Sequence, residues 1–269
     1  MNRLGVLGWP VAHSRSPAIQ NAALRAAGLS DWHYQLLPVP PELFDETVRG
    51  LPAAGFRGVN VTIPHKQAAL ALATEASGRA TAIGAANTLL FGEDGQIWAD
   101  NTDAPALTQA LARHVELVGI SAQVLGAGGS ARAAIWALLD AGASQVLVWN
   151  RTPERAAELS AELGARATAE PLPTADVLIN CTSVGLRQED ALEALPLGTH
   201  SLDRYRAVAD FVYRDGGTPL ARAAQASGVP MIDGLELLIG QGAIAFELFT
   251  GKKAPVDAMH HAVVPESTH

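Results

Sequence analysis

The side chains best suited to chemistry lie in the segment 58–66, Gly-Val-Asn-Val-Thr-Ile-Pro-His-Lys. An apolar, strand-forming run over 56–61 leads to Pro64, which fits the first turn of a helix that continues through Ala73. Lys66 then lies in the opening turn of this helix, where the macrodipole disfavours a cation and favours the neutral amine. Such a lysine is suited to proton transfer, although a solvated lysine after an ordinary turn is the alternative.

Short polar side chains occur on both sides of this segment in the sequence. Ser14 and Ser16 stand where the first strand meets a helix, and two hydroxyls there suit a carboxylate, although Ser16 alone could be the helix N-cap. Further amides and carboxylates flank predicted strands on the side of Lys66, at 84–88 and 100–103. A ligand with several hydroxyl groups requires such a ring of short polar side chains.

The elements that position these groups begin as alternating strands and helices. Strands are predicted at 3–7, 32–39 and 56–61, helices at 16–27 and 41–51 (with Leu43, Phe44, Val48 and Leu51 inward), and a hairpin at 87–91 and 96–100. This order predicts an open mixed αβ sheet covered by helices.

The pattern changes near residue 103. Strands predicted at 123–125, 145–149, 177–179 and 208–212, with helices at 106–114 and 153–163, indicate a doubly wound, Rossmann-like sheet. A long apolar helix from Gly234 is expected to return to the first domain. We therefore predict an α/β chain with a substrate-binding and catalytic domain (1–103, with 234–269) and a nucleotide-binding domain (104–233).

A glycine-rich loop follows the strand at 123–125 and opens the next helix, as a dinucleotide site requires. Gly126 permits the tight turn, and Gly128 lets the backbone approach a pyrophosphate at the helix start. The expected loop residues are Gly126, Ala127, Gly128, Gly129, Ser130 and Ala131.

The end of the next strand distinguishes between dinucleotides. An NAD-type fold normally places an acidic residue there for the ribose hydroxyls. This strand instead ends in Asn150, Arg151 and Thr152, with Arg155 one helical turn beyond Arg151. Guanidinium groups bind a 2′-phosphate well, so these residues favour NADP(H), unless both arginines are merely solvated helix charges.

Together these segments resemble the shikimate dehydrogenase family over nearly the whole chain. The motifs that carry the resemblance are 14–17 (Ser-Arg-Ser-Pro), 60–66 (Asn-Val-Thr-Ile-Pro-His-Lys), 86–88 (Ala-Asn-Thr), 101–103 (Asn-Thr-Asp), 126–129 (Gly-Ala-Gly-Gly), 150–152 (Asn-Arg-Thr), 180–185 (Asn-Cys-Thr-Ser-Val-Gly) and 234–241. Departures from the family pattern are Ala99, Ala104, Ala106 and Asp215, of which Asp215 affects the loop that carries Tyr213.

The resemblance implies an oxidoreductase of aromatic amino-acid biosynthesis that reduces 3-dehydroshikimate to shikimate with NADPH. It implies that Lys66 and Asp103 form the catalytic pair and that Ser14 and Ser16 hold the substrate carboxylate. The remaining implied substrate residues are Asn60, Thr62, Asn87, Tyr213 and Gln241, although Gln241 could equally be a buried amide. The loop residues Thr182, Ser183, Val212 and Gly234 are expected to contact the cofactor.

Bulk composition limits the other functions. With 48% hydrophobic and 17% charged residues the chain is globular, and a net charge of −8 without a basic block argues against nucleic acid. We expect no membrane span and no metal site, and the single Cys181 fits a reducing cytoplasm. A homodimer is compatible with the sequence.

Three other functions remain open at this point. One is a quinate/shikimate dehydrogenase that uses NAD, which the 150–152 segment disfavours. Another is a non-catalytic sensor of a shikimate-like ligand, which an intact Lys66 and Asp103 disfavour. The third is an NADP-dependent dehydrogenase for a different small polyhydroxy acid.

Overall fold

In a computed structural model, which describes residues 1–92, 94–170, 172–187, 189, 191–197 and 202–263, the chain divides into two compact units. The first unit comprises Met1–Thr102 and the described residues from Leu238 onward, and the second comprises Asp103–Leu237. The sequence predicts these boundaries after residues 103 and 233. No helix among the described residues combines the length and apolarity needed to cross a membrane.

The first unit is built on a mixed sheet. Its strands are β1 (Asn2–Gly8), β2 (Trp32–Pro38), β3 (Phe56–Val61), β4 (Glu75–Ala76), β5 (Thr88–Phe91) and β6 (Ile97–Asp100). They lie in the order β2-β1-β3-β5-β6-β4, and β5 runs antiparallel to both of its neighbours. The predicted open mixed sheet with one hairpin is therefore confirmed.

Short helices cover this sheet. They are α1 (Ser16–Ala26), α2 (Phe44–Gly50, after a 3₁₀ turn at Pro41–Leu43), α3 (Lys66–Leu72) and α4 (Gly78–Ile83). Phe44 and Val48 of α2 pack with Val59 and Leu89 of the sheet in one hydrophobic core. Leu43, predicted to face inward, is 48% exposed because it belongs to the 3₁₀ turn, whose shorter repeat turns it away from the face of α2.

The second unit contains a parallel sheet. Its strands are β7 (Ser121–Leu125), β8 (Gln145–Trp149), β9 (Arg166–Ala167), β10 (Val177–Asn180), β11 (Ala207–Asp210) and β12 (Met231–Ile232). Counted from β7, the order β12-β11-β10-β7-β8-β9 corresponds to strands 6-5-4-1-2-3 of a doubly wound fold. This confirms the predicted Rossmann-like architecture, which places every strand's carboxyl end at one edge.

The helices of this unit are α5 (Asp103–Leu111), α6 (Gly129–Asp140), α7 (Pro153–Leu163) and α8 (Pro219–Ala226). Alanine-rich α6 forms because alanine has the highest helix propensity, and α7 has proline in its first turn and left-handed Gly164 (φ 77°) at its end. α9 (Gly234–Thr250) begins in the second unit and continues into the first, where α10 (Val256–His261) follows it.

Several element boundaries in this unit differ from the prediction, and two of them affect predicted site residues. α5 begins at Asp103, three residues before the predicted start, and an acidic side chain in the first turn suits the helix dipole. β11 ends at Asp210, so Val212 lies beyond the strand, where its amide donates to the Asp210 side chain (3.0 Å).

Candidate active site

Lys66 is the first residue of α3 and is buried, with 7% of its surface exposed. The preceding turn is closed by a hydrogen bond from the His65 amide to the Thr62 carbonyl (2.9 Å), so Pro64 lies in this turn. The predicted position of Pro64 inside the helix is therefore wrong, because the turn delays the helix start by two residues. The Lys66 carbonyl accepts a hydrogen bond from the Ala86 amide (2.8 Å), which ties the lysine backbone to the segment before β5.

His65 holds the turn that precedes Lys66. Its Nε2 lies 2.7 Å from the Val39 carbonyl oxygen, and its ring stacks on Phe44 with centroids 4.4 Å apart. Burial lowers the pKa of His65, since the charged imidazolium is poorly solvated there. A neutral ring with Nε2 protonated satisfies the Val39 contact, so His65 acts as a packing and anchoring residue.

Asn60 lies within β3, and its side-chain amide forms hydrogen bonds with other protein groups. Its Nδ2 donates to the Asn87 carbonyl (3.2 Å) and to Thr88 Oγ1 (3.1 Å), which uses both amide hydrogens. Its Oδ1 accepts from the Tyr34 hydroxyl (2.9 Å) and keeps one further acceptor position. A ligand at Asn60 can therefore only donate a hydrogen bond to it, which suits a hydroxyl group.

Tyr34 and Thr88 were not predicted as site residues. Both are buried and both contact Asn60, but the pairing of Asn60 with Thr88 depends on the register between β3 and β5. A tyrosine in a predicted strand is usually a core residue, so the sequence carries no separate signal for Tyr34.

Asn87, Thr102 and Gln241 form a second polar cluster in the first unit. Asn87 Oδ1 accepts from the Thr102 amide (2.8 Å), and Gln241 Oε1 lies within hydrogen-bond distance of Asn87 Nδ2 (3.4 Å) and Thr102 Oγ1 (3.3 Å). Gln241 also donates to the Leu238 carbonyl (2.9 Å). Gln241 thus has both a backbone partner, as the alternative interpretation expected, and a place beside Asn87.

Ser14 and Ser16 form a pair at the start of α1. Their Oγ atoms are 3.2 Å apart, and the Ser16 amide donates to Ser14 Oγ (3.3 Å). Ser16 is the first helical residue and the N-cap position belongs to Arg15, so the alternative of Ser16 as the N-cap is wrong. A Cβ on Gly8 would lie 2.5 Å from Thr62 Cγ2, which shows how closely the end of β1 approaches the turn before Lys66.

Asp100 anchors the segment that leads to Asp103. It is 2% exposed and accepts hydrogen bonds from Arg79 Nε (2.7 Å), from Ser77 Oγ (2.5 Å) and from the Asn101 amide (2.7 Å). Asp103 follows as the first residue of α5 and is 7% exposed. Arg79 and Ser77 were missed in the sequence because they lie in α4 and its cap, a helix too short to show a clear periodicity.

The glycine loop of the second unit has the shape that a dinucleotide pyrophosphate requires. Gly126 has φ +108°, and a Cβ there would lie 3.0 Å from the Cys181 carbonyl oxygen, so only glycine fits this turn. A Cβ on Gly128 would meet nothing within 4 Å, which leaves open space beside the helix start. α6 has no side-chain cap and no acidic residue in its first turn, so its start suits an anion.

The predicted 2′-phosphate residues follow β8 at the same edge of the sheet. Arg151, Thr152 and Arg155 are exposed, and Thr152 occupies the N-cap position of α7 without a capping hydrogen bond from its side chain. Asn150 Nδ2 donates to the Thr152 carbonyl (2.9 Å) and shapes this turn. The two guanidinium groups are thus displayed at the start of α7, as a phosphate contact requires.

The other predicted cofactor residues follow β10, β11 and β12. Thr182 and Ser183 lie after β10, Val212 lies after β11, and Gly234 lies after β12; half-buried Tyr213, a predicted substrate residue, follows Val212. A Cβ on Gly234 would lie 2.5 Å from the Val212 carbonyl oxygen, so glycine permits this close approach. The parallel order of the strands brings the predicted cofactor residues to one edge of the second unit.

Family models match three stretches of the chain. The description "Shikimate dehydrogenase substrate binding domain" matches 6–89, "Shikimate / quinate 5-dehydrogenase" matches 108–186, and "Shikimate 5'-dehydrogenase C-terminal domain" matches 234–264. A curated relative from Anaeromyxobacter dehalogenans, shikimate dehydrogenase (NADP(+)), is 45% identical, with 96% of this chain and 94% of the relative covered. The chain belongs to the shikimate dehydrogenase family. The resemblance predicted from the sequence motifs is therefore confirmed.

Solved structures of the shikimate dehydrogenase family share this fold. The enzyme from Thermus thermophilus, in complex with NADP(H) and shikimate, is 42% identical, has a TM-score of 0.84, and the match covers 97% of this chain and 98% of that one. A 5-ketofructose reductase from Gluconobacter is 29% identical with a TM-score of 0.82, over 97% and 96% of the two chains. The fold therefore also occurs in a reductase of a different name.

Proposed function

We propose that this chain is an NADP-dependent shikimate dehydrogenase that interconverts 3-dehydroshikimate and shikimate. The observation that carries the proposal is the set of short polar side chains at one edge of the first sheet, next to buried Lys66, in a chain of this family. Relatives named shikimate dehydrogenase (NADP(+)), and a relative solved with NADP(H) and shikimate, support the same substrate and cofactor.

In this proposal the substrate hydroxyls bind to Asn60, Thr62, Asn87 and Gln241. Asn60 offers only an acceptor, because its amide hydrogens are both used within the protein. Ser14 and Ser16 bind the carboxylate, for which two adjacent hydroxyls at a helix start are well suited. Tyr213 lies near the substrate and the nicotinamide.

We assign proton transfer to Lys66 and its orientation to Asp103. Bound NADPH supplies the hydride, and its phosphates would be held by the glycine loop, Arg151 and Arg155. Lys66 delivers a proton to the alkoxide that develops at the substrate carbonyl, while Asp103 orients the lysine and the substrate hydroxyl. Two hydrogen bonds support this pairing. The Lys66 carbonyl accepts from the Ala86 amide. Asn87, the residue after Ala86, accepts from the amide of Thr102, which directly precedes Asp103.

Absorbance of reduced nicotinamide tests the function directly. Shikimate with NADP⁺ is expected to give steady turnover, and NAD⁺ is expected to react far more slowly because it lacks the 2′-phosphate. Quinate and reduced 5-ketofructose complete the substrate panel, since the family name includes quinate and a fold relative is a 5-ketofructose reductase. No turnover with any of these substrates would support a non-catalytic sensor and refute the proposal.

A cytoplasmic location and a homodimeric state are also part of this proposal. Cell fractionation tests the location, and light scattering coupled to size-exclusion chromatography tests the oligomeric state. A monomer in solution over the assay concentrations would contradict the homodimer without affecting the assigned reaction.

A further inference from the structure

A buried carboxylate in the second unit has no part in the chemistry described above. Asp210 ends β11, opposite Asn180 of β10, and its side chain is fully buried. Asn180 Nδ2 (2.9 Å) and the Val212 amide (3.0 Å) donate to one carboxylate oxygen, and Thr218 Oγ1 (2.7 Å) donates to the other. This buried carboxylate therefore connects the paired strands β10 and β11 to Val212 and Thr218, which lie outside both strands.

The hydrogen bonds continue from Asp210 into the loop after β10. Asn180 Oδ1 accepts from the Thr182 amide (3.1 Å) and the Thr182 hydroxyl (2.7 Å). Thr182 Oγ1 in turn accepts from the Val184 amide (3.1 Å). The conformation of the 181–185 loop is therefore set by the orientation of the Asn180 amide, which Asp210 fixes through Nδ2.

The loop after β11 is held from the same carboxylate. Val212 bonds to it directly, and Thr218 closes the loop while its Oγ1 caps α8 by accepting from the Ala221 amide (3.0 Å). Both loops contact predicted cofactor residues, because the Cβ positions of Gly126 and Gly234 lie against Cys181 and Val212. Asp210 is thus connected to the predicted dinucleotide site through these two loops.

We propose that Asp210 is a positioning residue whose ionised carboxylate holds both loops in the conformation that binds the dinucleotide, a role that rests on the proposed function. Protonation neutralises the carboxylate and adds an O–H donor, which weakens the three hydrogen bonds that the charged group accepts. The loops then loosen, and affinity for NADP⁺ falls.

This role becomes visible as a pH dependence because burial raises the pKa of Asp210 to about 6. The nearby charge of Asp233, which precedes α9, raises it further, while the three hydrogen bonds act in the opposite direction. The folded chain therefore takes up this proton between about pH 6 and the ordinary value of 3.8, and acidification through that window adds stability through this group. A loss of NADP⁺ affinity in this pH window therefore cannot result from unfolding caused by the protonation of Asp210.

Calorimetric titration with NADP⁺ between pH 5 and pH 8 tests the proposal without any turnover. Asp210→Asn imitates the protonated acid, so its dissociation constant at pH 8 is expected to be about tenfold above wild type, the value of one hydrogen bond to a charged group. At pH 5, about one unit below the pKa of Asp210, the ratio of the two dissociation constants is expected to fall to about two. We compare this ratio and not the single dissociation constants because the 2′-phosphate of NADP⁺ also titrates near pH 6. That titration affects both proteins equally and cancels in the ratio.

Asp176→Asn is the matched control. Asp176 also accepts hydrogen bonds, from the amide and hydroxyl of Ser121 (2.8 and 2.7 Å), but it precedes β10 at the opposite edge of the sheet. Its substitution is expected to leave NADP⁺ affinity within twofold of wild type at every pH. An Asp210→Asn ratio that is the same at pH 5 and pH 8, or that matches Asp176→Asn, overturns the proposal.

A second pair of variants serves if Asp210→Asn does not fold. Thr218→Ser keeps the hydroxyl bond to Asp210 and should bind NADP⁺ as wild type does, whereas Thr218→Val should bind about tenfold more weakly. Equal affinities for the two variants would refute the role of the cluster. A wild type that binds NADP⁺ but oxidises no shikimate would instead refute the proposed reaction, while leaving the role of Asp210 measurable.

Discussion

Tyr34→Phe provides a direct test of how the first unit prepares Asn60 for substrate. The Tyr34 hydroxyl is buried and donates to Asn60 Oδ1 at 2.9 Å, and the substitution removes only this oxygen. The aromatic ring keeps its packing, so the change is confined to one hydrogen bond. Asn60 retains both bonds from Nδ2, which prevents the amide from reversing.

The expected magnitude follows from the net contribution of one buried hydrogen bond, about 0.5–1.5 kcal/mol. If that free energy is lost from substrate binding, KM for shikimate rises about two- to twelvefold, while kcat changes less than twofold. The free energy of unfolding of the variant is expected to fall by about 1 kcal/mol, or a few degrees in Tm. KM and kcat are measured at saturating NADP⁺, and Tm by calorimetry.

Tyr205→Phe is the control for this experiment. Tyr205 is also buried, but it lies in the second unit, where its hydroxyl accepts from Arg204 (2.6 Å). Its loss is expected to lower Tm and to leave KM for shikimate unchanged. If the two variants lose stability alike and neither changes KM, Tyr34 is only a core residue and the reasoning about Asn60 is refuted.

Substitutions at three further sites test the assigned roles. Lys66→Ala is expected to lower kcat about 10²–10⁴-fold, since positioned acid–base groups contribute that much, while shikimate binding measured by calorimetry persists. The double variant Ser14→Ala with Ser16→Ala should raise KM for shikimate with little change in kcat, because a carboxylate is held equally in the ground and transition states. Arg151→Ala and Arg155→Ala should each raise KM for NADP⁺ roughly tenfold at low salt, without changing the slow reaction with NAD⁺, and the effect should shrink as salt is added.

Matched controls separate these effects from general damage. Exposed Lys252 and exposed Arg166 serve for the charge changes, and Ser144, whose hydroxyl bonds to the Gly119 carbonyl (2.8 Å), serves for the loss of a serine. Alanine at these positions should leave all three kinetic parameters near wild type. A near wild-type kcat in Lys66→Ala would remove the lysine from the mechanism. An unaltered KM for shikimate in the serine double variant would remove the serine pair from the carboxylate site. Equal losses with NADP⁺ and NAD⁺ in the arginine variants would contradict a 2′-phosphate contact.

Much of the fold follows from local sequence patterns. The limits of β3, β8 and α7 agree with the prediction, because each is a strongly periodic or β-branched run bounded by turn or proline signals. α4 shows no such pattern, since it has only six residues, and its start depends on one bond from the Ala80 amide to Ser77 Oγ. Pro64 fits a helix start equally well on local grounds, and only the turn at 62–65 excludes it.

The supporting residues of the candidate site depend on contacts distant in sequence. Asn60, Thr62 and Asn87 are recognisable because polar groups interrupt or flank apolar strands. Tyr34 and Asp210 are not recognisable in this way, because their partners come from other strands and depend on register. A buried tyrosine or aspartate is identified as a positioning residue only when the group that it holds is known.

The antiparallel direction of β5 determines which parts of the chain can change in length. Because β5 and β6 form a hairpin, Asn87 at its entry and Asn101 at its exit lie at the same edge, while the paired Phe91 and Ile97 lie at the far edge. The pairing of Thr88 with Asp100 sets the spacing between these two polar segments independently of the residues between Phe91 and Ile97. Insertions, epitope tags or fluorophores at the hairpin tip would therefore be remote from the proposed chemistry, which makes the tip a natural place for labelling the enzyme.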